Sequence, residues 1–236
     1  IGASTAVVVA IAWLGVATPG GYMWFALVGA AVTAVAVYLL GSAGRAATPE
    51  RMVLAGAAIS AALGAFVAAV LLLDAQAFDR FRFWSVGSLA GRDGAVLLEV
   101  GPLILLGVLV ALPLGRALNA VALGEDTGRA LGAHPGRTRV AGALSVTLLC
   151  GGATAAAGPI GFVGLTVPHV ARMITGPDHR WVLPYSLVLA PILVVAADVV
   201  GRVVVAPGEL EVGLVLAVLG APVFVLLCRR RRIAQL

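Results

Sequence analysis

Residues 51–73 read RMVLAGAAISAALGAFVAAVLLL, a run in which only the first position carries a charge. A helix rises about 1.5 Å per residue, so a run of this length can cross the roughly 30 Å of hydrocarbon in a bilayer. A helix on the surface of a soluble protein would also need a polar face, and this run has none. The stretch therefore predicts a transmembrane helix.

The rest of the chain repeats this pattern. Of its 236 residues, 61% are hydrophobic and 11% are charged, whereas soluble domains carry about 25% charged residues. Because short breaks rich in Pro and Gly separate the apolar runs, we predict an all-α fold, a polytopic transmembrane helical bundle. The eight predicted spans are 3–17, 22–41, 51–73, 94–114, 138–157, 159–176, 181–205 and 212–228.

The arginines predict the orientation of the bundle. All sixteen basic residues are Arg, and if the eight spans alternate sides, twelve fall on one side and four on the other. Cytoplasmic loops carry the basic excess in membrane proteins, so the C-terminal Arg229–Arg232 is predicted to be cytoplasmic. The net charge of +5 then indicates lipid headgroups as the partner, and not nucleic acid. The four arginines of the opposite face are Arg80, Arg82, Arg92 and Arg202.

Catalytic and metal-binding patterns are absent from the sequence. It contains no H-E-x-x-H, C-x-x-C or G-x-S-x-G, and a P-loop requires a lysine, which this chain lacks. We therefore expect no catalytic residue, metal or cofactor in this chain, and any ATP to be used by a partner subunit. Ion-coupled secondary transport stays open as an alternative, although no carboxylate can be placed near the bilayer midplane.

The longest predicted inner loop, residues 115–138, reads GRALNAVALGEDTGRALGAHPGRT. Gly124 is expected to divide it into two short helical pieces. Glu125 and Asp126 favour the start of the second piece and Gly132 favours its end. The apolar side of these pieces could dock into a groove on another protein, or the loop could pack on the bundle's own inner face.

One charged pair falls near the outer end of a predicted span. Asp198 and Arg202 are four residues apart, which places them on one face of a helix, where they can form an ion pair. The pair could be a structural anchor or an outward docking site.

Several short stretches of the chain, taken together and in order, form a recognisable pattern. They include LNAVALGE (118–125), LG (131–132), GPIGFVGL (158–165), PH (168–169), DHR (178–180), AD (197–198) and GAPVF (220–224). This pattern resembles the FecCD family, the permeases of bacterial ABC importers for ferric siderophores, haem and cobalamin, and the likeness covers nearly the whole chain. Family members have about ten spans, so the first two are expected to be missing from this sequence; Glu211 departs from the family's usual Pro.

The resemblance implies a single transmembrane permease domain over residues 1–236, in the bacterial inner membrane. Its implied partners are two ATPase subunits, a substrate-binding protein and a second permease copy or a paralogue. The stretch FWSVGSL (83–89) favours an iron-siderophore-like substrate by resemblance, with haem and cobalamin as alternatives.

The resemblance also implies roles for particular residues. Arg202 would dock the substrate-binding protein, and Thr48, Pro49 and Glu50 would form an inner gate. The residues implied in coupling to the ATPase are Leu118, Asn119, Leu123, Gly124, Glu125, Asp126, Leu131 and Gly132.

Overall fold

A computed structural model describes residues 1–16, 19–42, 49–91, 94–205, 208 and 210–233. Its regular elements are helices, and the described residues contain no strand, which confirms the predicted all-α class. The α-helices are α1 Gly2–Ala12, α2 Pro19–Gly41, α3 Pro49–Leu73, α4 Ala75–Val86, α5 Gly94–Ala111, α6 Gly115–Ala122, α7 Glu125–Ala130, α8 Pro135–Ala157, α9 Val163–Thr175, α10 His179–Val204 and α11 Val212–Ile233.

Five helical segments in the described part of the chain are long and apolar enough to cross a membrane: Gly21–Gly41, Glu50–Leu73, Gly94–Ala122, Pro135–Ala157 and His179–Val204. The other three predicted spans correspond to α1, α9 and α11, of which α1 and α9 have only 11 and 13 residues. Most side chains of the long helices are not covered by protein, which suits helices surrounded by lipid.

The helix predicted over residues 94–114 continues past residue 114, into the segment that was predicted to be the inner loop. A short 3-10 turn, Leu112–Leu114, joins α5 directly to α6, so the helical path runs on to Ala122. Pro113 lies at the start of this turn, where its missing N–H costs little. The first part of the predicted loop is therefore a continuation of a spanning helix.

Helix α4 was missed by the sequence analysis. Its sequence, AQAFDRFRFWSV, mixes charged and aromatic residues, and it buries Phe81 and Trp84 on one side. Asp74 begins it, because its Oδ1 accepts a hydrogen bond of 2.9 Å from the N–H of Ala77. A search for long apolar runs cannot find such a short amphipathic helix.

The chain divides into two compact units. The first comprises Ile1–Ser85, Arg92–Gly107 and Val146–Gly158. In this unit α1 packs on α2 and α3, and Val7 and Val8 of α1 are fully buried. Gly2 and Gly29 allow the close approach of α1 and α2, since a Cβ on either glycine would overlap the facing helix.

The second unit comprises Val86–Gly91, Val108–Ser145 and Pro159–Leu236. Helix α10 packs here on α9, α11 and α6, and Ala197 of α10 lies in a buried cluster with Val212, Val215 and Leu216 of α11. The N–H of Gly213 donates to the carbonyl of Gly87 at 3.1 Å. This unit carries the predicted coupling residues and Arg202.

Candidate functional site

Helices α6 and α7 form a short hairpin, which we call the coupling hairpin (residues 115–132) after the role that the family resemblance predicts for it. Gly124 separates the two helices with φ 104° and ψ 152°, a conformation that only glycine adopts readily. Gly132 (φ 81°) ends α7: its N–H donates to the carbonyl of Arg129 at 3.0 Å, and the N–H of Ala133 donates to that of Gly128 at 2.9 Å. The predicted division at Gly124 and the predicted end at Gly132 are both confirmed.

The two helices of the hairpin lie against each other through a glycine. A Cβ on Gly128 of α7 would come within 3.0 Å of the carbonyl oxygen of Ala120 on α6. Leu123 and Leu131, by contrast, are 65% and 63% exposed. Apolar side chains at the ends of both helices are therefore left uncovered.

Two charged residues lie between these leucines along the chain and form an ion pair. Asp126 is fully exposed and lies 3.8 Å from Arg129, as measured between Oδ1 and Nη1. An open groove of about 410 Å³ runs from the end of α7 to the start of α8. Its lining residues are Arg129, Gly132, Ala133, His134, Pro135, Gly136 and Arg137.

Asn119 joins the hairpin to the start of α10. Its Nδ2 donates to Oδ1 of Asp178 at 2.5 Å. Its Oδ1 accepts from the backbone N–H of His179 at 2.9 Å and lies 2.8 Å from Nδ1 of the same histidine. We call Asn119, Asp178 and His179 the α6–α10 anchor.

The surroundings of the anchor determine which atoms donate. The backbone N–H of His179 can only donate and the carboxylate of Asp178 can only accept, so the orientation of the Asn119 amide is determined. The amide oxygen cannot donate, and Nδ1 of His179 must therefore carry the proton of the ring contact.

Asp178 has a second role as the N-cap of α10. Its Oδ1 accepts a hydrogen bond of 2.8 Å from the N–H of Arg180. This backbone bond, together with the hydrogen bond from Asn119, holds the pKa of the Asp178 carboxyl below its usual value. The carboxylate is thus charged at neutral pH, where it also faces the positive end of the α10 dipole.

The backbones of α6 and α10 also approach closely one turn before Asn119. Gly115 is buried, and a Cβ there would lie 3.1 Å from Cα of Arg180 and 3.2 Å from its N. Gly115 and Asn119 are four residues apart, on one face of α6. Both contacts with α10 therefore come from the same side of the hairpin.

Asp178 and His179 were not among the site residues that the sequence analysis assigned. They appeared there only as part of a family-like stretch. An Asp directly before a helix is a recognisable cap signal, but its contact with Asn119 joins residues 59 positions apart. Sequence spacing alone could not have shown that contact.

The predicted pair of Asp198 and Arg202 is confirmed. Oδ2 of Asp198 lies 2.9 Å from Nε of Arg202, and the two side chains are 20% and 47% exposed. At about 1.5 Å per residue, Arg202 lies roughly 35 Å along α10 from His179. One helix therefore carries the α6–α10 anchor near its start and this ion pair near its end.

The predicted gate falls partly outside the described residues. Thr48 is one of the residues that the structure does not describe. Helix α3 begins at Pro49, a favourable first position, and Glu50 is exposed in its first turn. The gate role stays a prediction.

Within the described ranges, no three His, Cys, Asp or Glu side chains come together as a metal site would require. The described residues form long lipid-facing helices. Between two of these helices, α5 and α8, the chain forms a polar hairpin whose leucines are uncovered. A fold of this kind, with several helices long enough to cross a membrane, fits the class of polytopic membrane-transport proteins.

Comparison with known proteins agrees. The chain belongs to the FecCD transport family, which it matches over residues 1–230. It is 44% identical to the ferric enterobactin transport system permease protein FepD of Escherichia coli (strain K12), over 98% of this chain and 69% of that protein. It is 38% identical to the probable siderophore transport system permease protein YfiZ of Bacillus subtilis (strain 168), over 97% of this chain and 69% of that protein.

Similarity extends to a haem transporter and to a solved structure. The hemin transport system permease protein HmuU of Yersinia pestis is 39% identical over 77% of this chain and 55% of its own length. A structure described as an inward-facing conformation of a metal-chelate type ABC transporter superposes with a TM-score of 0.86 at 27% identity. The match covers 97% of this chain and 73% of that one.

Proposed function

We propose that this chain is the membrane-spanning permease subunit of an ABC importer for a ferric siderophore. The observation that carries the proposal is the family match over residues 1–230 together with the similarity to two siderophore permeases over nearly the whole chain. In this proposal residues 1–236 act as one permease domain, and two copies, or this chain and a paralogue, enclose the translocation path.

The coupling hairpin supports an ATP-driven mechanism. It exposes Leu123 and Leu131 at the ends of two short helices, a shape suited to a groove on another protein. Separate ATPase subunits would bind and hydrolyse ATP, because the chain has no lysine for a P-loop. Closure of the ATPase pair would displace the hairpin as a rigid body.

The orientation follows from the arginine bias. The coupling hairpin and Arg229–Arg232 would face the cytoplasm, and Arg202 would face the outside of the bacterial inner membrane. There the Asp198 and Arg202 pair would meet a substrate-binding protein. The predicted gate residues 48–50 would then lie on the inner side, at the end of the path.

Haem is the second candidate substrate, and the observation that favours it is the similarity of this chain to the hemin transport permease HmuU. Cobalamin follows from the sequence resemblance alone. An ion-coupled transporter would need neither an ATPase nor a binding protein, and this difference provides the test.

The test is uptake into proteoliposomes that contain the permease, its ATPase and its binding protein. We expect ATP-dependent uptake of a ferric siderophore, competition by excess ferric siderophore, and no competition by haem or cobalamin. An ATPase variant that binds but cannot hydrolyse ATP is the control. Uptake that needs no ATPase and follows a proton gradient would overturn the proposal. Competition by haem alone would identify haem, and not a ferric siderophore, as the substrate.

A further inference from the structure

Asn119 is the only asparagine in the chain, and both ends of its amide are used in the α6–α10 anchor. The nitrogen donates to Asp178, and the oxygen is within hydrogen-bonding distance of two donors on His179. One side chain of the coupling hairpin therefore makes three hydrogen bonds to two consecutive residues where α10 begins. Contacts in different directions restrict sliding and rotation of α6 against α10.

The contact at Gly115 makes the junction stiffer. Backbone atoms of Arg180 lie within 3.2 Å of the position that a Gly115 Cβ would take, so α6 touches α10 at two successive turns. Helix α7 rests in turn on α6 through Gly128 and Ala120. The described residues thus contain a continuous packed path from α7 through α6 to a helix that is long enough to cross the membrane.

We propose that Asn119 is a positioning residue that makes α10 move with the coupling hairpin, and is not a contact for the ATPase. The inference rests on the proposed function, because it assigns the step by which a push on the hairpin reaches a spanning helix. The anchor suits this step because one of its bonds ends on a carboxylate, and such bonds are stronger than neutral ones. Asp178 also caps α10, so a force on Asn119 acts on the first turn of that helix.

A role limited to folding stability makes a different prediction. Weakening a purely structural contact lowers the amount of working transporter, so uptake and ATP hydrolysis fall together. Weakening a transmission contact lets the ATPase cycle without moving α10. The informative quantity is therefore the number of substrate molecules taken up per ATP hydrolysed.

The experiment uses the complete transporter in proteoliposomes and the variant Asn119→Asp. The new carboxylate has nearly the size of the amide and can still accept from His179, but it repels the carboxylate of Asp178. We expect uptake per ATP to fall about tenfold, the effect of losing one charge-assisted hydrogen bond. Gln76→Glu on α4 makes the same amide-to-acid change at an exposed position and should leave the ratio unchanged.

A second substitution tests the contact itself. In Asn119→Asp/Asp178→Asn the repulsion between two carboxylates is removed, and the asparagine introduced before α10 can still cap that helix, since Asn is a good N-cap residue. The hydrogen bond from Asn119 and the capping bond end on the same oxygen of Asp178, so the exchange cannot restore both, and we expect this pair to regain only part of the uptake per ATP. The double variant also keeps the question answerable if Asn119→Asp alone fails to assemble with the ATPase.

Two results would count against the inference. The first is an unchanged ratio in Asn119→Asp, including the case in which uptake and hydrolysis fall in equal proportion. The second is a double variant as poorly coupled as the single one. Both leave ATP-driven uptake by the unmodified transporter intact. If the unmodified transporter showed no such uptake, the proposed function itself would be overturned, and the inference with it.

Discussion

Asp198 and Arg202 lie one turn apart on α10, with Oδ2 of the aspartate 2.9 Å from Nε of the arginine. The arginine is the more exposed of the two. The aspartate thus holds the guanidinium at the helix surface and leaves part of it accessible. Such a group can attract an acidic partner over a distance, because charges at the rim of an interface act mainly on the rate of encounter.

The first prediction concerns docking at this pair. Arg202→Glu places two like charges beside each other and reverses the charge offered to the binding protein. We expect about tenfold slower association of the binding protein at low salt, with little change in the dissociation rate. Stopped-flow binding to the transporter in nanodiscs measures both rates.

Arg137→Glu is the matched control, since it makes the same charge change on the face predicted to be opposite. It should leave association unchanged. If Arg202→Glu lowers only the melting temperature and not the association rate, the pair is a structural anchor and the docking role is wrong.

The second prediction concerns the pKa of Asp178. Because the N–H of Arg180 and the amide of Asn119 bind the carboxylate, its pKa lies below the usual value of about 3.9. The stabilisation is therefore fully present above the usual pKa and is lost as the pH falls through the lowered one. Carboxyl carbon NMR shifts of the labelled protein, recorded against pH, measure this pKa.

Asn119→Ala should raise the pKa of Asp178 towards its usual value, because one of the two hydrogen bonds to the charged form is removed. Gln76→Ala should leave it where it is. A titration of Asp178 that is identical with and without the Asn119 amide would contradict the anchor geometry.

The third prediction tests the close approach of α6 and α10. Gly115→Val puts side-chain atoms against the backbone of Arg180, which cannot rotate away as a side chain could. We expect a loss of about 1 to 3 kcal/mol in the free energy of unfolding, as is usual for an overpacked contact. Thermal or denaturant unfolding in detergent measures the loss.

Gly142→Val on α8 is the control for helix propensity, because no atom lies within 4 Å of the Cβ position there. It should be clearly milder than Gly115→Val. Equal losses at both positions would mean that propensity, and not the contact with Arg180, determines the effect.

The fourth prediction concerns the acidic start of α7. Reversing both charges, Glu125→Lys/Asp126→Lys, should lower uptake severalfold without reducing insertion into the membrane. The substituted lysines oppose the positive end of the helix dipole and change the charge shown to the ATPase. Uptake assays and the amount of membrane-bound permease, measured side by side, test both parts.

Asp126→Asn separates charge reversal from loss of the ion pair. It removes the exposed contact of Asp126 with Arg129, and such surface pairs contribute little to stability. We expect a smaller loss than with the reversed charges. Normal uptake with both charges reversed would show that the start of α7 is not a coupling surface.

Much of the fold could be read from local sequence. Long apolar runs predict spanning helices because lipid offers no partner for unpaired backbone groups, and each helix satisfies its own. The division of the coupling hairpin at Gly124 and its end at Gly132 were also predictable, because both positions need a backbone conformation that glycine adopts at low cost. The Asp198 and Arg202 pair followed from helical periodicity alone.

Other features required the three-dimensional structure. Helix α4 is too short and too polar to be found among apolar runs. The extension of α5 into α6 depends on a 3-10 turn that tolerates Pro113. The α6–α10 anchor is the clearest case, because Asn119 and Asp178 are 59 residues apart and meet only when α6 packs beside α10.

The sequence by itself determined that the helices lie in lipid, where they run and where the local turns fall, since these features depend on residues that are neighbours along the chain. Only the tertiary structure decided which polar groups of the coupling hairpin form hydrogen bonds with the start of α10. Hydrogen bonds between distant residues depend on the packing of whole helices, and no local pattern specifies that packing.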